Sequence, residues 1–373
     1  MGTRASIVIT ALALVLAACG GGDATQNDEP TTTSTSTTIA TTTTTEPLGD
    51  VVLRYGYRPE TRVTYDLDLT ADVEASIDGD AAALAEEGLP SAADLRTSVE
   101  TVVGFDVYDG PEPDTFELAV TAVLTGGEVS GTVDGEPFDP AMHGATADQL
   151  ASIPSIEKNV IIRTDGEILS ISGSDGMAAA MGDLSSLGSL GGDHLGEPLG
   201  PVFPEEAVGV GDSWTTSRTI DGPGGPVTVQ TVSEIVAVEP YEDVEVFVIE
   251  STTTTEGFEI DFTEMVRSMF EGFSGIAGDD ADAVTGDVPP EMQEMLDRLT
   301  FVISVAPNTS ETTVWFDPEA GLVRRAEERS DGSVTMEFAG PDEDTAELVS
   351  VRVELRLGQS AVFELTGIEP LAG

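Results

Sequence analysis

Cysteine, lysine and histidine are almost absent from this chain: Cys19, Lys158, His143 and His194 are all it has in 373 residues. One thiol can form no intramolecular disulfide and no zinc–thiolate cluster. The two histidines sit in Gly/Ala-rich surroundings with no His-x-x-x-His or Glu-x-x-His spacing, so the common zinc motifs are missing too. Aromatic residues are 5%, and two tryptophans leave few faces on which a sugar could stack. Basic residues number 15 against 69 acidic ones, a formal charge of −54. Setting aside Arg4 and the acids Asp23, Asp28, Glu29, Glu46 and Asp50 leaves 64 acids and 14 bases, a net −50, in residues 51–373. A charge of that sign repels nucleic acid and any anionic membrane surface. Hydrophobic residues still reach 40%, enough for a sizeable core.

What is present begins with an export pattern. Arg4 gives a short positive region, residues 7–16 an apolar run, and Ala17-Ala18 the small residues before a cleavage site. The run is too short to span a bilayer as a helix. Leu16-Ala17-Ala18-Cys19 then resembles the lipobox of bacterial lipoproteins, with Gly20-Gly21-Gly22 behind it. That resemblance implies cleavage of residues 1–18 and acylation of Cys19, which consumes the only thiol and excludes a cysteine nucleophile. Stable anchoring needs two or more acyl chains, such as palmitate. Residues 19–50 form a Thr-rich tether with too little apolar surface to offset ordering entropy, so we expect a disordered spacer. The expected address is the extracytoplasmic face of the cell membrane, held to the bilayer through Cys19.

The acidity has three readings: attraction of cations such as calcium, solubility in saline surroundings, or a generally solvated surface. Asp279-Asp280-Ala281-Asp282 is the best calcium candidate, but it lacks the spacing of a calcium loop. No metal site or cofactor is therefore expected. Catalytic motifs are also missing. Ser155 and Lys158 match Ser-x-x-Lys, yet no second lysine exists for the Lys-Thr-Gly element that chemistry needs. No Gly-x-Ser-x-Gly elbow occurs, and no catalytic residue is assigned.

From Val51 onward strand signals dominate. Residues 99–105, 116–124, 227–238, 244–249, 301–305, 312–316 and 349–357 carry β-branched and aromatic residues in partial alternation. Turn chemistry stands at Asp109-Gly110-Pro111, Asp165-Gly166 and Asp331-Gly332. Two halves also echo each other. Gly56 pairs with Gly211 and Gly166 with Gly321 at one offset, and the strand around 99–106 matches that around 232–239 at another. The pattern fits two fused copies of one unit, residues 51–176 and 201–373, joined by a Gly/Leu/Ser connector at 177–200; chance likeness between strand-rich segments is the competing account. Inserts at 71–90 and 262–299 absorb the difference in offset. In the second, Phe262, Met265, Val266, Met269, Phe270 and Phe273 fall on one helical stripe, and Met292, Met295, Leu296 and Leu299 on another after Pro289-Pro290. The expected fold is α+β: a mainly antiparallel sheet covered by amphipathic helices.

The tether, the stretch ending Gly211-Asp212-Ser213-Trp214, and the Trp315-Phe316-Asp317 to Gly321-Leu322-Val323 segment resemble a family of bacterial secreted lipoproteins that has no assigned activity. The layout is also similar, in architecture alone, to LolA/LppX-type lipoprotein carriers, which implies a sheet and helices cupping an acyl chain. On that expectation the two stripes roof a site for an apolar small molecule or lipid, with Phe262, Met265, Met269, Phe270, Phe273, Met292, Met295, Leu296 and Leu299 as its lining. Methionine suits a surface that repacks around variable shapes. A face merely packed on the sheet is the plainer reading of the same stripes. A structural or interaction protein of the envelope is the alternative function, and a hydrolase the third.

Overall fold

A computed structural model describes residues 49–79, 90–140, 156–174, 200–222, 225–263, 300–341 and 348–371. The first half supplies strands β1 (Thr61–Asp78), β2 (Ala92–Asp109), β3 (Thr115–Val133), β4 (Glu136–Pro137), β5 (Ile156–Arg163) and β6 (Ile168–Ser174). The second supplies β7 (Ser213–Gly222), β8 (Gly225–Tyr241), β9 (Val244–Thr255), β10 (Phe258–Asp261), β11 (Thr300–Val305), β12 (Asn308–Asp317), β13 (Leu322–Pro341) and β14 (Leu348–Pro370). All fourteen belong to one sheet in the order β6-β5-β3-β2-β1-β14-β13-β12-β9-β8-β7, with β4 beside β3, and β10 beside β11, which pairs with the far half of β13. Every pairing is antiparallel.

β1 shows why the sheet has two unlike faces. Val63, Tyr65, Leu67, Leu69, Ala71, Val73, Ala75 and Ile77 alternate with Arg62, Thr64, Asp66, Asp68, Thr70, Asp72, Glu74 and Ser76. Successive side chains point to opposite faces, so one face becomes apolar and the other acidic. Register carries the pattern to both neighbours: Leu67 stands opposite Phe363 on one side and Thr101 on the other. Where a strand would fall out of phase, a bulge restores it, as between Thr101 and Glu100 opposite Leu124 and Gly126.

The apolar face is concave. Adjacent amides Tyr55 and Gly56 donate to Thr164 O at 2.7 Å and to Gly321 O at 2.8 Å. Those carbonyls belong to the β5–β6 and β12–β13 turns, six strand spacings apart along the sheet, roughly 29 Å if it were flat. One dipeptide can bond both only if the sheet curls until the turns nearly meet. The right-handed twist of long antiparallel strands supplies the curl. The result is a trough whose inner face carries Val63, Tyr65 and Leu67, closed at the turn end by the segment around Tyr55.

The expectation of covering helices is corrected here. The described residues contain fourteen strands and no helical element, so the fold is nearly all antiparallel β rather than α+β. Phe262, read as the start of a helical stripe, directly follows β10; it is buried and its amide donates to Phe301 O at 2.8 Å. Met265, Met269, Phe270, Phe273, Met292, Met295, Leu296 and Leu299 lie outside the described residues, as do Cys19 and both histidines. The strands also run further than their sequence signals. Residues 71–78, assigned to an insert, complete β1 because Ala and Asp there keep the period of two despite poor strand propensity. Asp331-Gly332, read as turn chemistry, runs through the middle of β13, at the point where its partner changes from β12 to β11.

Candidate functional site

The closed end of the trough is filled by rings. Phe116, Tyr57, Tyr55, Phe203 and Trp214 form a chain with centroid steps of 5.7, 5.8, 5.0 and 6.5 Å, and Phe316 packs on Phe203 at 4.7 Å. Glycines permit the close approach: a Cβ on Gly56 would strike the carbonyl of Ala320, and one on Gly321, at φ +67°, would strike the backbone of Gly56. Tyr65 donates to Val323 O at 2.9 Å and Trp214 Nε1 to Val202 O at 2.7 Å, so the buried phenol and the partly buried indole both find partners. Trp214 thus anchors the core from edge strand β7. Trp315 instead sits on the outer face, with the Arg325 guanidinium 5.7 Å from its ring centre.

Above this plug the inner face changes character. An apolar row, Ile235–Ile249–Val314–Ala326–Phe363–Leu67, crosses six strands in register. The next row reads Ser233–Ser251–Thr312–Glu328 before becoming Ala361 and Leu69. The row after that is polar across β7, β8, β9, β12, β13 and β14: Thr216–Thr231–Thr253–Ser310–Ser330–Gln359. Hydroxyl pairs knit the tract: Ser233 Oγ to Ser251 Oγ at 2.8 Å, Thr231 Oγ1 to Thr253 Oγ1 at 2.9 Å, and Ser310 Oγ donating to Glu328 Oε1 at 2.8 Å. Gln359 is only 4% exposed, yet its Oε1 has no hydrogen-bond partner; Asn308 Oδ1, one step beyond Ser310 on the same face of β12, lacks one too. Beyond the tract, towards β14, β1 and β2, the face is apolar again. Ala75, Ala93, Leu95 and Leu355 make one small cluster and Ile260, Phe262 and Ile303 another, both separate from the main core.

Cavities lie at the far rim. One of about 340 Å³ is bordered by Ala75, Ala93, Thr132 and Arg356, and one of about 580 Å³ by Asp72, Asp94, Pro307, Gly332 and Leu357. Among the described residues no group of three or more His, Asp or Glu side chains is arranged to hold a metal. Lys158 is buried on the inner face of β5. Of the sequence-predicted lining, the structure places Phe262 alone, in the cluster with Ile303. It offers in its place a polar tract that sequence reasoning missed. The signal was present as Thr/Ser at alternate positions in residues 251–255 and 308–312, but only strand pairing shows that they share one face.

No family model and no curated protein matches the chain. Among solved structures, the chain is similar to lipovitellin, in a structure concerned with lipid–protein interactions, at 10% identity and TM-score 0.33 over 85% of this chain and 26% of that one. It thus spans about a quarter of the lipovitellin chain. A deletion mutant of the TodX monoaromatic hydrocarbon channel aligns at 7% identity and TM-score 0.17, covering 85% and 96% of the two chains. Superpositions this loose carry no argument about this protein.

Proposed function

We propose that this chain is a lipid-anchored extracytoplasmic protein that holds an apolar or amphipathic molecule in its trough. One observation carries the proposal. Along β1 the inner face stays apolar for 18 residues, the aromatic plug fills one end, and the apolar side chains past the polar tract form clusters of their own. Most of those side chains are already buried, and the room for an apolar molecule lies in the far-rim cavities bordered by Ala75, Ala93 and Leu357. The lipobox supports the address, because it places the domain beside a source of such molecules.

The test uses the full chain carrying Cys19→Ser, so that its own acyl chains are absent. Native mass spectrometry after expression in a lipid-rich host should show bound mass of lipid size, and Leu95→Trp should reduce its occupancy. Clean apo mass, with no uptake of an added apolar dye, would sink the proposal.

A further inference from the structure

The sheet ends in β6 and β7, and among the described residues each pairs on one side only. They stand first and eleventh along a path in which every pairing is antiparallel, so they run in the same direction. Curling brings these two edges together where both strands begin. There the peptide unit between Val202 and Phe203 bridges them. Its carbonyl accepts from Trp214 Nε1 of β7 at 2.7 Å, and its N–H donates to Asp165 O in the β5–β6 turn at 2.7 Å. A chain that reaches one neighbour through C=O and the other through N–H holds the place of a strand. Further along, both edges are open and nearly uncharged. Ile235 N donates to Asp212 O at 3.1 Å, which sets the phase of the β7–β8 ladder. Thr215, Ser217 and Thr219 therefore turn their N–H and C=O groups to the open side. β6 holds no charged residue, and Ser213 to Ile220 hold Arg218 and no acid, in a domain with 64 acids. Natural edges are commonly blunted by charge or proline; neither of these is.

We propose that the seam between β6 and β7 takes one extended, acid-free strand of a partner protein, antiparallel to both edges. Because the edges point the same way, a single chain pairs antiparallel with each and closes the eleven-strand path into a barrel of twelve. It continues the line that Val202 and Phe203 already hold at the plug end. The side chains beside the seam specify its pattern. Toward the trough stand Ile171, 42% exposed opposite buried Val160, and Trp214. On the outer side stand Ser170, Ser172, Thr215 and Ser217. The strand that fits alternates apolar residues with small polar ones. A domain charge of −50 disfavours an acidic strand, and it disfavours a second copy of this chain, which would bring a like charge against the first.

The test uses the full chain carrying Cys19→Ser and a fluorescein-labelled peptide copying residues 226–233, the acid-free strand that β7 accepts on its other side. Fluorescence polarisation should rise to saturation as protein is added. A peptide carrying Val229→Pro and Gln230→Pro should bind at least about tenfold more weakly, because adjacent residues donate to opposite edges. In the protein, Ser217→Pro on β7 and Ile171→Asp on β6 should each weaken the unaltered peptide by about tenfold. The Ser217 N–H faces the open side, so the β7–β8 ladder keeps its bonds and the near-ultraviolet circular dichroism of the plug should match the parent. Ser217→Glu stands in if the proline variant does not fold. Equal binding of the two peptides, or a loss from the β7 variant alone, would overturn the two-edged seam. So would a failure of the peptide to bind, or a dimer in sedimentation that Ser217→Pro dissociates, which gives the edge to a second copy.

Discussion

Tyr55, Tyr57 and Tyr65 concentrate in the plug, and burial pushes all three phenols above their ordinary value of 10.0, with neighbouring tyrosines adding to the rise at Tyr55 and Tyr65. An unfolded chain releases these protons near pH 10, whereas the folded one retains them. Stability from this source is therefore whole below pH 10 and lost as pH climbs above it. Three groups give a slope of about 4 kcal/mol per pH unit once the unfolded chain is deprotonated. Denaturant titrations between pH 9 and 11.5 should show that fall, and Tyr57→Phe should remove about a third of it. A flat profile would mean that the rings reach water. Asp317 is the other residue whose role depends on the fold: buried, it accepts from the amides of Glu319 and Ala320 and from Arg324, and so shapes the turn on which the plug docks. In the sequence it is one acid among 69.

Strands were legible as elements but not in extent. Residues 99–105 and 116–124 announce β2 and β3 through their β-branched residues, yet each strand is more than twice as long as its announced part. The remainder mixes strand formers such as Val107, Tyr108 and Val129 with Ala, Gly, Asp and Ser, which have little strand propensity and follow the pattern because paired neighbours impose it. The plug segment was legible only as Tyr55-Gly56-Tyr57. That it bonds to two turns at once follows from curvature, which no local signal encodes. Gly56 is therefore the most sensitive position of the element. Gly56→Ala forces a methyl into the Ala320 carbonyl and should cost about 3 kcal/mol or more, the upper range for overpacking. Gly135→Ala, at φ +79° with open space around it, meets only backbone strain and should cost about 1–2 kcal/mol. Chemical denaturation of the pair discriminates; equal losses would mean that the plug yields to the methyl.

At the scale of the molecule, charge and trough divide the two faces. The outer side of β1 alone presents Asp66, Asp68, Asp72 and Glu74, and arginines such as Arg62 and Arg96 answer only some of the acids. Self-repulsion of a −50 domain should oppose compaction at low ionic strength. The melting temperature should rise by several degrees between 10 mM and 0.5 M sodium chloride, over which the Debye length falls from about 30 Å to a few ångströms. A flat curve would show that the outward acids are spaced widely enough to ignore each other.

Composition and local pattern by themselves determined the acidic charge, the lack of zinc motifs, the lipobox-like Leu16-Ala17-Ala18-Cys19 stretch and the dominance of strands, because each depends on residue type or on short spacing along the chain. Which residues meet inside the trough depended on pairing between strands as distant as β1 and β14. The hydroxyl tract takes one or two residues from each of six strands between Thr216 and Gln359, so no window of sequence contains it. Register aligns those residues and curvature turns them inward, and both are properties of the assembled sheet.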